Sequence, residues 1–278
     1  ALKKFIHAAD KLDLETRIIE RDDLSDIVEH DGLFIRATTA VNNFTYQFAR
    51  KAAAEGLVVV DDPLSILRCT NKVYLSELLG RLKVPTPKTL ILHRENINLA
   101  IPTLGLPLVL KLPDSSFSQG VVKASSEQEL MDNVKNFFEH SDFIVAQEFI
   151  PTDFDWRIGV LGGKAIFACK YFMARNHWQI YNWNASSGQQ CGKWETIPVE
   201  LAPPEAVKYA LRATAPIGNG FYGVDIKDYN GRIVVIEVND NPSLESGVED
   251  QILKDHLYDS LAAYFLRSIE QQQRGFYQ

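Results

Sequence analysis

Residues 223–242 read GVDIKDYNGRIVVIEVNDNP and give the strongest structural signal in the chain. Apolar and polar residues alternate on both sides of Asn230 and Gly231, a pattern that predicts two antiparallel strands joined by a tight turn. Glu237 and Asn239 lie two residues apart on the second strand, so their side chains project from the same face. Two oxygen-bearing side chains therefore share one wall of the predicted sheet.

Asp225 lies on the first of these strands, and it joins the other two side chains only if it pairs with Glu237. A two-residue Asn230-Gly231 turn would place Asp225 opposite Ile236, on the wrong face. We therefore predict a loop of odd length with Gly231 in a left-handed conformation. Carboxylate and amide oxygens suit Mg²⁺, which keeps waters and phosphate oxygens among its ligands. The alternative is one carboxylate that caps a turn and another on a solvated strand face.

The rest of the chain mixes helices with short strands, which indicates an α+β fold. Near the N-terminus, apolar runs at residues 16–19, 33–35 and 57–60 and a helix at residues 41–55 indicate a small parallel sheet. Further helices are predicted at residues 72–82, 127–139, 204–214 and 248–270. Further strands are predicted at residues 89–92, 108–111, 143–147, 156–161, 164–172, 222–227 and 233–238.

Composition limits the class of protein. The chain has 278 residues, of which 46% are hydrophobic and 23% charged, enough for a buried core in two compact domains or one elaborated domain. Its net charge of -7 argues against nonspecific nucleic-acid binding. It has no apolar run near the ~20 residues that cross a bilayer and no secretory leader, so we expect a cytoplasmic protein without membrane contact. Because the chain begins with Ala1 rather than Met, we expect that an upstream segment is missing.

Two lysines stand where phosphate groups could bind. Lys72 begins a predicted helix, where backbone N–H groups and a cation can hold phosphate oxygens. Lys111 ends an apolar strand and precedes a polar loop with hydroxyl groups and a glycine that could approach a phosphate. The loop residues are Ser115, Ser118, Gln119 and Gly120. Taken alone, Lys72 is more typical of an ordinary helix surface, and the alternative for Lys111 is a plain strand-end lysine before a turn.

A third group of residues follows the apolar strand near residue 145. The free backbone groups of this connecting segment could bind the edge of an adenine base. We call the segment the hinge, and it consists of Gln147, Glu148, Phe149 and Ile150. Asp155 could accept a hydrogen bond from a ribose hydroxyl or position a substrate, and Arg157 could bind a carboxylate or phosphate. The alternative is a surface ion pair between Asp155 and Arg157. The aromatic residues within 175–194 could close over a substrate or complete the core.

Taken in order, these motifs resemble the ATP-grasp superfamily, and within it the RimK-type carboxylate–amine ligases. The resemblance covers residues 64–270, and the ending EVNDNPS after Asp225 is its most specific part. It implies two α+β lobes that enclose a nucleotide, preceded by a partial α/β pre-ATP-grasp domain. The expected division is residues 1–66 for that domain, 67–150 for the first lobe with a mobile lid, and 151–278 for the second.

The resemblance also implies roles for individual residues. Lys72 and Lys111 match the family's phosphate lysines, and the hinge matches its adenine site. The implied ligands of Mg²⁺ are Asp225, Glu237 and Asn239, with two ions expected and Mn²⁺ as an allowed substitute. Relatives carry an arginine-rich strand after the Asp-Xaa-Arg motif, whereas this chain has Lys170 and Arg175. We predict that Lys170, or else Arg175, contacts the transferring phosphate.

The expected activity is ATP-dependent ligation through an acyl phosphate, with Arg157 orienting the substrate carboxylate. The substrates would be a carboxylate and an amine, as small molecules or on a peptide or protein tail, and the sequence allows a homo-oligomer. An ATP-grasp kinase is one alternative, because the same metal ligands and lysines could transfer phosphate to an alcohol. A nucleotide-binding regulatory module without turnover is another.

Overall fold

The computed structural model describes residues 1–114, 120–183, 185 and 190–275. The N-terminal part contains two parallel strands, which confirms the small parallel sheet. Its elements are α1 (Leu2–Asp10), a 3-10 helix (Leu24–Glu29), β1 (Gly32–Phe34), α2 (Phe44–Ala54), β2 (Val58–Val60) and α3 (Pro63–Thr70). Residues 16–19 are irregular, so the strand predicted there is wrong. Ile19 instead packs with Ile27 and Phe48 beneath α2.

A four-stranded antiparallel sheet in the order β3-β6-β4-β5 follows. Its elements are α4 (Lys72–Arg81), β3 (Thr89–Leu92), a 3-10 helix (Ile97–Leu99), α5 (Ala100–Leu104), β4 (Leu108–Lys111), β5 (Val121–Ala124), α6 (Glu127–Phe137) and β6 (Ile144–Glu148). Leu108 and Leu110 point into the cluster formed with α5 and α6. Because side chains alternate along a strand, Val109 and Lys111 point to the opposite face, where they line a cleft.

A five-stranded antiparallel sheet in the order β11-β10-β7-β8-β9 forms the second lobe. Its elements are β7 (Phe154–Leu161), β8 (Lys164–Phe172), β9 (Trp194–Ile197), a 3-10 helix (Val199–Leu201), α7 (Pro204–Thr214), β10 (Phe221–Tyr229), β11 (Arg232–Asn239) and α8 (Asp255–Gly275). The alanine-rich face of α7 packs on one side of this sheet. Helices α1 and α8 pack with residues of the other side.

Helix α8 begins at Asp255, so the start predicted at residue 248 is wrong. The preceding segment folds into turns because two of its carboxylates point inward. Glu249 accepts a hydrogen bond from the Glu245 backbone at 2.7 Å, and Asp250 accepts one from the Gly247 backbone at 2.6 Å. None of the helices in the described residues is long and apolar enough to cross a bilayer.

The predicted division into three segments stays a prediction. Its first boundary, at residue 66, falls within α3. The N-terminal elements also share a hydrophobic cluster with the second lobe, in which Ala9 and Val60 pack with Leu257 and Phe265. Packing therefore ties the first residues of the chain to its last helix.

Candidate active site

The hairpin of β10 and β11 aligns the predicted metal ligands through a bulge. Tyr229 pairs with Arg232 across a two-residue turn, so the predicted loop of odd length is wrong. Gly231 has a φ of 80°, which confirms its left-handed conformation. A register shift next to Asp225 nevertheless pairs this residue with Glu237. The extra residue in the bulge compensates for the short turn and returns both carboxylates to one face.

The cleft lies between the two antiparallel sheets. The four-stranded sheet and the segment after it contribute Lys111, Gln147 and Ile150, and the five-stranded sheet contributes Asp155, Asp225 and Glu237. Lys72 completes this group from the N-terminus of α4, of which it is the first residue. The structure thus brings together residues predicted for the phosphates, the adenine hinge and the metal.

Asp225 is held by a bidentate ion pair. Nε and Nη2 of Arg157 donate to its two carboxylate oxygens at 2.7 and 2.9 Å. Asn239 Nδ2 donates to Asp225 Oδ2 at 3.1 Å, so a second predicted ligand is in direct contact. Burial lowers the pKa of the Arg157 guanidinium, but Asp225 more than offsets this and holds that pKa above its ordinary value. Arg157 therefore stays charged in a nearly buried position.

Glu237 and the two predicted phosphate lysines form a second charged group. Lys72 Nζ lies 2.9 Å from Glu237 Oε1. Burial raises the pKa of the Glu237 carboxyl, but Lys72 and Lys111 outweigh this effect and lower it below the ordinary value. Burial also lowers the pKa of Lys111 to about 8. The carboxylate and both ammonium groups are therefore poised to exchange partners with an incoming charged ligand.

The oxygen donors in this corner fit Mg²⁺ only when a ligand adds further oxygens. Asp225 and Glu237 are adjacent carboxylates on paired strands. Within the described ranges, no cluster of at least three His, Cys, Asp or Glu side chains could hold a metal ion. A hard cation bound by few protein ligands takes its remaining oxygens from water and substrate phosphates. The donor set therefore suits an ion that arrives with a nucleotide.

The predicted adenine hinge lines the same cleft. Phe149 packs edge-to-face with Trp178 at 5.9 Å between ring centroids, and the Lys123 ammonium lies 4.9 Å from the Phe149 ring. The Glu148 carboxylate is bound by Arg232, and it also accepts a hydrogen bond from the Lys88 backbone at 2.6 Å. The hinge thus combines a fixed carboxylate with an aromatic wall.

Two of the predicted catalytic residues do not reach the cleft in the described structure. Lys170 pairs with Trp156 across the sheet, and its ammonium lies 2.8 Å from Glu195 and over the Trp156 ring. It therefore points away from the face that carries Arg157. Arg175 lies in an exposed turn and is not among the described residues that line the cleft.

The predicted lid is only partly described. Gly120 has a φ of 64° and accepts a hydrogen bond from the Leu112 backbone at 2.9 Å, at the base of the loop. The other predicted loop residues, Ser115, Ser118 and Gln119, lie outside the described residues. The functions assigned to all these residues stay predictions.

Lys227, Trp178 and Ile236 are among the cleft residues that the sequence motifs missed. Lys227 follows Asp225 by two residues on β10, so the same alternation that paired Glu237 with Asn239 would have found it. Trp178 belongs to the aromatic segment of residues 175–194, for which the sequence allows either closure over a substrate or packing in the core. Ile236 reaches the cleft next to Glu237 because the bulge turns consecutive side chains to one side.

Residues 69–255 match the model of the RimK-like ATP-grasp domain. A protein of Vibrio vulnificus named probable alpha-L-glutamate ligase is 29% identical over 234 residues, which cover 83% of this chain and 74% of the relative. A protein of the same name from Legionella pneumophila is 27% identical over 223 residues, which cover 79% of this chain and 70% of the relative.

Solved structures show the same fold. The D-alanine–D-alanine ligase of Bacillus anthracis aligns with a TM-score of 0.74 at 18% identity, covering 98% of this chain and 92% of that one. A RimK domain ATP-grasp protein of Sphaerobacter thermophilus aligns with a TM-score of 0.67 at 17% identity, covering 94% of each chain. The predicted α+β ATP-grasp fold is confirmed. The chain therefore belongs to the RimK-like ATP-grasp family of ATP-dependent carboxylate–amine ligases.

Proposed function

We propose that this protein joins a carboxylate to an amine through an acyl phosphate. The observation that carries the proposal is the convergence of the Asp225 and Glu237 carboxylates with Lys72 and Lys111 in one cleft. Paired carboxylates beside lysines suit a metal-bound triphosphate, because the lysines and the metal together neutralise the charge of the transferring phosphate. The Bacillus anthracis neighbour has itself been solved with ATP.

In the proposed complex, the base lies at the hinge of residues 147–150 and the phosphates lie between Lys72 and Lys111. Asp225, Glu237 and Asn239 would hold Mg²⁺, which supplies positive charge to the phosphate oxygens. Lys72 now pairs with Glu237, so it would change its partner to a phosphate as the cation takes its place. The protein then supplies position and charge rather than an acid or a base.

The reaction balances without a further reagent. A carboxylate oxygen of the first substrate attacks the terminal phosphorus, the bond to the bridging oxygen breaks, and ADP leaves with that electron pair. The amine nitrogen then attacks the acyl carbon, phosphate leaves, and the nitrogen loses a proton to solvent. Arg157 would orient the carboxylate by exchanging Asp225, which now occupies its fork, for the two oxygens of the substrate.

The substrates are proposed from the relatives. Because two of them are named as probable alpha-L-glutamate ligases, we propose an amino acid as one substrate and a peptide, protein tail or small metabolite as the other. We also propose a cytoplasmic location, where ATP is available. The proposed activity is compatible with a homo-oligomer.

Glu237→Gln tests the proposal most directly. This change keeps the shape of the side chain but removes the charge that would bind the cation, so we expect the loss of ATP turnover with the fold intact. ADP release would be screened across amino-acid and peptide pairs, with mass detection of the adduct. Glu195→Gln, on the far face of the sheet, is the matched control and should keep full activity.

Three outcomes would redirect the proposal. Retained activity in Glu237→Gln would remove this residue from the metal site. A stable phosphorylated product without an adduct would indicate a kinase. Thermal stabilisation by ATP, without ADP formation in any substrate mixture, would indicate a regulatory module.

A further inference from the structure

Two reciprocal ion pairs connect strands β7 and β10 on the cleft face. Arg157 on β7 pairs with Asp225 on β10, and Asp155 on β7 pairs with Lys227 on β10. The first pair lies directly opposite in the register of these antiparallel strands, and the second lies two residues earlier on β7 and two residues later on β10. The order of charges is thus reversed between the strands, so each carboxylate faces a cation across the sheet.

The Lys227 ammonium is fully engaged with the start of β7. It lies 2.6 Å from Asp155 Oδ1 and 2.7 Å from Thr152 Oγ1. Thr152 Oγ1 in turn donates to Asp155 Oδ1 at 3.2 Å. The side chains of Lys227 and Asp155 are only 14% and 18% exposed. An ion pair of this kind is screened little by solvent and restricts both side chains to one arrangement.

The contacts to Asp155 leave one of its oxygens for a ligand. In the described part of the chain, the hydrogen bonds to this carboxylate end on Oδ1. Asp155 and Lys227 both line the cleft, and in the chain Asp155 lies between Ile150 of the hinge and Arg157, which binds Asp225 of the metal corner. A nucleotide bound with its base at one end and its phosphates at the other would place its sugar there.

We propose that Lys227 is a positioning residue for the nucleotide ribose. It holds the Asp155 carboxylate through Oδ1 and directs Oδ2 to accept a hydrogen bond from a ribose hydroxyl. Lys227 acts through Asp155 rather than on the phosphates, because its ammonium is already neutralised by this carboxylate. The inference rests on the proposed function in one respect, namely that the cleft binds ATP.

The test compares the dissociation constants of MgATP, its 2′-deoxy analogue and its 3′-deoxy analogue, measured by calorimetry. We expect the unmodified protein to bind ATP about tenfold or more tightly than the analogue that lacks the bonded hydroxyl, as for one hydrogen bond to a charged group. In Lys227→Met, the affinity for ATP should fall to the affinity that the unmodified protein has for that analogue. The affinity for the analogue itself should differ less than about twofold between the variant and the unmodified protein.

Two further variants separate positioning from folding. Lys227→Arg keeps the cation and should restore part of the discrimination, whereas Lys164→Met, at the exposed start of β8, should leave all three constants unchanged. If Lys227→Met loses its thermal transition, Asp155→Leu combined with Lys227→Met removes both charges from the site. This double variant should fold, and its affinity for ATP should be no higher than its affinity for the analogue that lacks the bonded hydroxyl.

The outcomes that contradict the inference are distinct from a failure of the proposed function. Equal weakening of all three ligands in Lys227→Met would show that Lys227 acts on the phosphates. Unchanged constants in that variant, or ATP binding without any discrimination in the unmodified protein, would overturn the ribose contact while leaving the ligase proposal intact. No ATP binding by the unmodified protein would overturn both.

Discussion

The charge of the Lys111 ammonium makes the electrostatics of the cleft depend on pH. Its side chain extends from the end of a buried strand, and burial lowers the pKa of its ammonium to about 8. The neighbouring cations Lys72 and Lys227 lower this pKa as well, whereas Glu237 raises it. A triphosphate beside Lys111 would favour the charged form and shift the pKa upward again.

We therefore expect ATP binding to take up a proton at about pH 8.5. As pH rises through the pKa of about 8, the free protein loses the Lys111 proton and the affinity for ATP falls. Calorimetry in buffers of different ionisation enthalpy measures the uptake. Lys111→Arg stays charged and should show neither the uptake nor the decline. Binding without proton uptake in the unmodified protein would contradict the assignment of Lys111 to the phosphates.

Trp178 extends the hinge beyond the residues that the motif contains. Its ring contacts Phe149 edge-to-face, and the Lys123 ammonium lies near both rings. Stacking on an aromatic side chain is worth about 1–3 kcal/mol per base. We expect Trp178→Ala to weaken ATP binding about tenfold in calorimetry.

Trp183 offers a control from the same segment. Its ring stacks on Tyr181 at 5.5 Å, and its side chain is half exposed. Trp183→Ala should leave the affinity for ATP unchanged. Equal losses in the two variants would indicate that the segment as a whole, rather than the Trp178 ring, supports the base.

At the scale of elements, the hairpin of β10 and β11 depends on backbone conformation. Gly231 occupies the turn with a φ of 80°, and a Cβ there would meet no atom within 4 Å. The cost of Gly231→Ala is therefore conformational, and we expect a loss of about 1 kcal/mol in the free energy of unfolding by urea.

Gly80 is the matched control for this change. It lies exposed within α4, and a Cβ there also meets nothing within 4 Å. Because alanine favours a helix interior, Gly80→Ala should raise the free energy of unfolding by about 0.5–1 kcal/mol. Stabilisation by both substitutions would show that the turn tolerates an ordinary residue.

Local patterns predicted elements better than registers. Strands β3, β4 and β8 and helix α7 were predicted at their observed bounds, because their alternation or periodicity is uninterrupted. The bulge beside Asp225 was not predicted, since no local feature of the sequence marks Ile236 of β11 as the extra residue. Lys170 was misplaced for a related reason. Its face is set by its pairing with Trp156, and nothing local in the sequence gives that register.

At the scale of the whole molecule, the N-terminal sheet is joined to the loop that follows the metal corner. Arg36, just after β1, donates to Asn241 Oδ1 at 2.6 Å and to the Pro242 carbonyl at 2.9 Å. Asn241 Nδ2 donates back to the Ala37 carbonyl at 2.6 Å. Movement of the first strands would therefore be transmitted to the loop that follows Asn239.

Asp61 lies at the same junction, and its buried carboxyl group lowers the stability of the folded protein at neutral pH. Its side chain, just after β2, is 2% exposed and has an Oδ1 without a hydrogen-bond partner among the described residues. Burial raises the pKa of its carboxyl well above the ordinary value, the Asp240 charge raises it further, and Arg36 lowers it in part. The folded protein thus holds this proton more tightly than the unfolded chain.

Asp61→Asn should therefore stabilise the protein at pH 7, by about 1 kcal/mol in urea unfolding, since Arg36 compensates part of the buried charge. At about pH 3, below the ordinary pKa of an Asp side chain, both states of the unmodified protein bind the proton, so the difference should nearly vanish. The stability of the unmodified protein falls as pH rises from there toward the raised pKa, and the variant should lack this part of the decline. Asp132→Asn, exposed on α6, should change little at either pH. A variant less stable than the parent at pH 7 would mean that the Asp61 carboxylate makes a favourable contact that outweighs its burial.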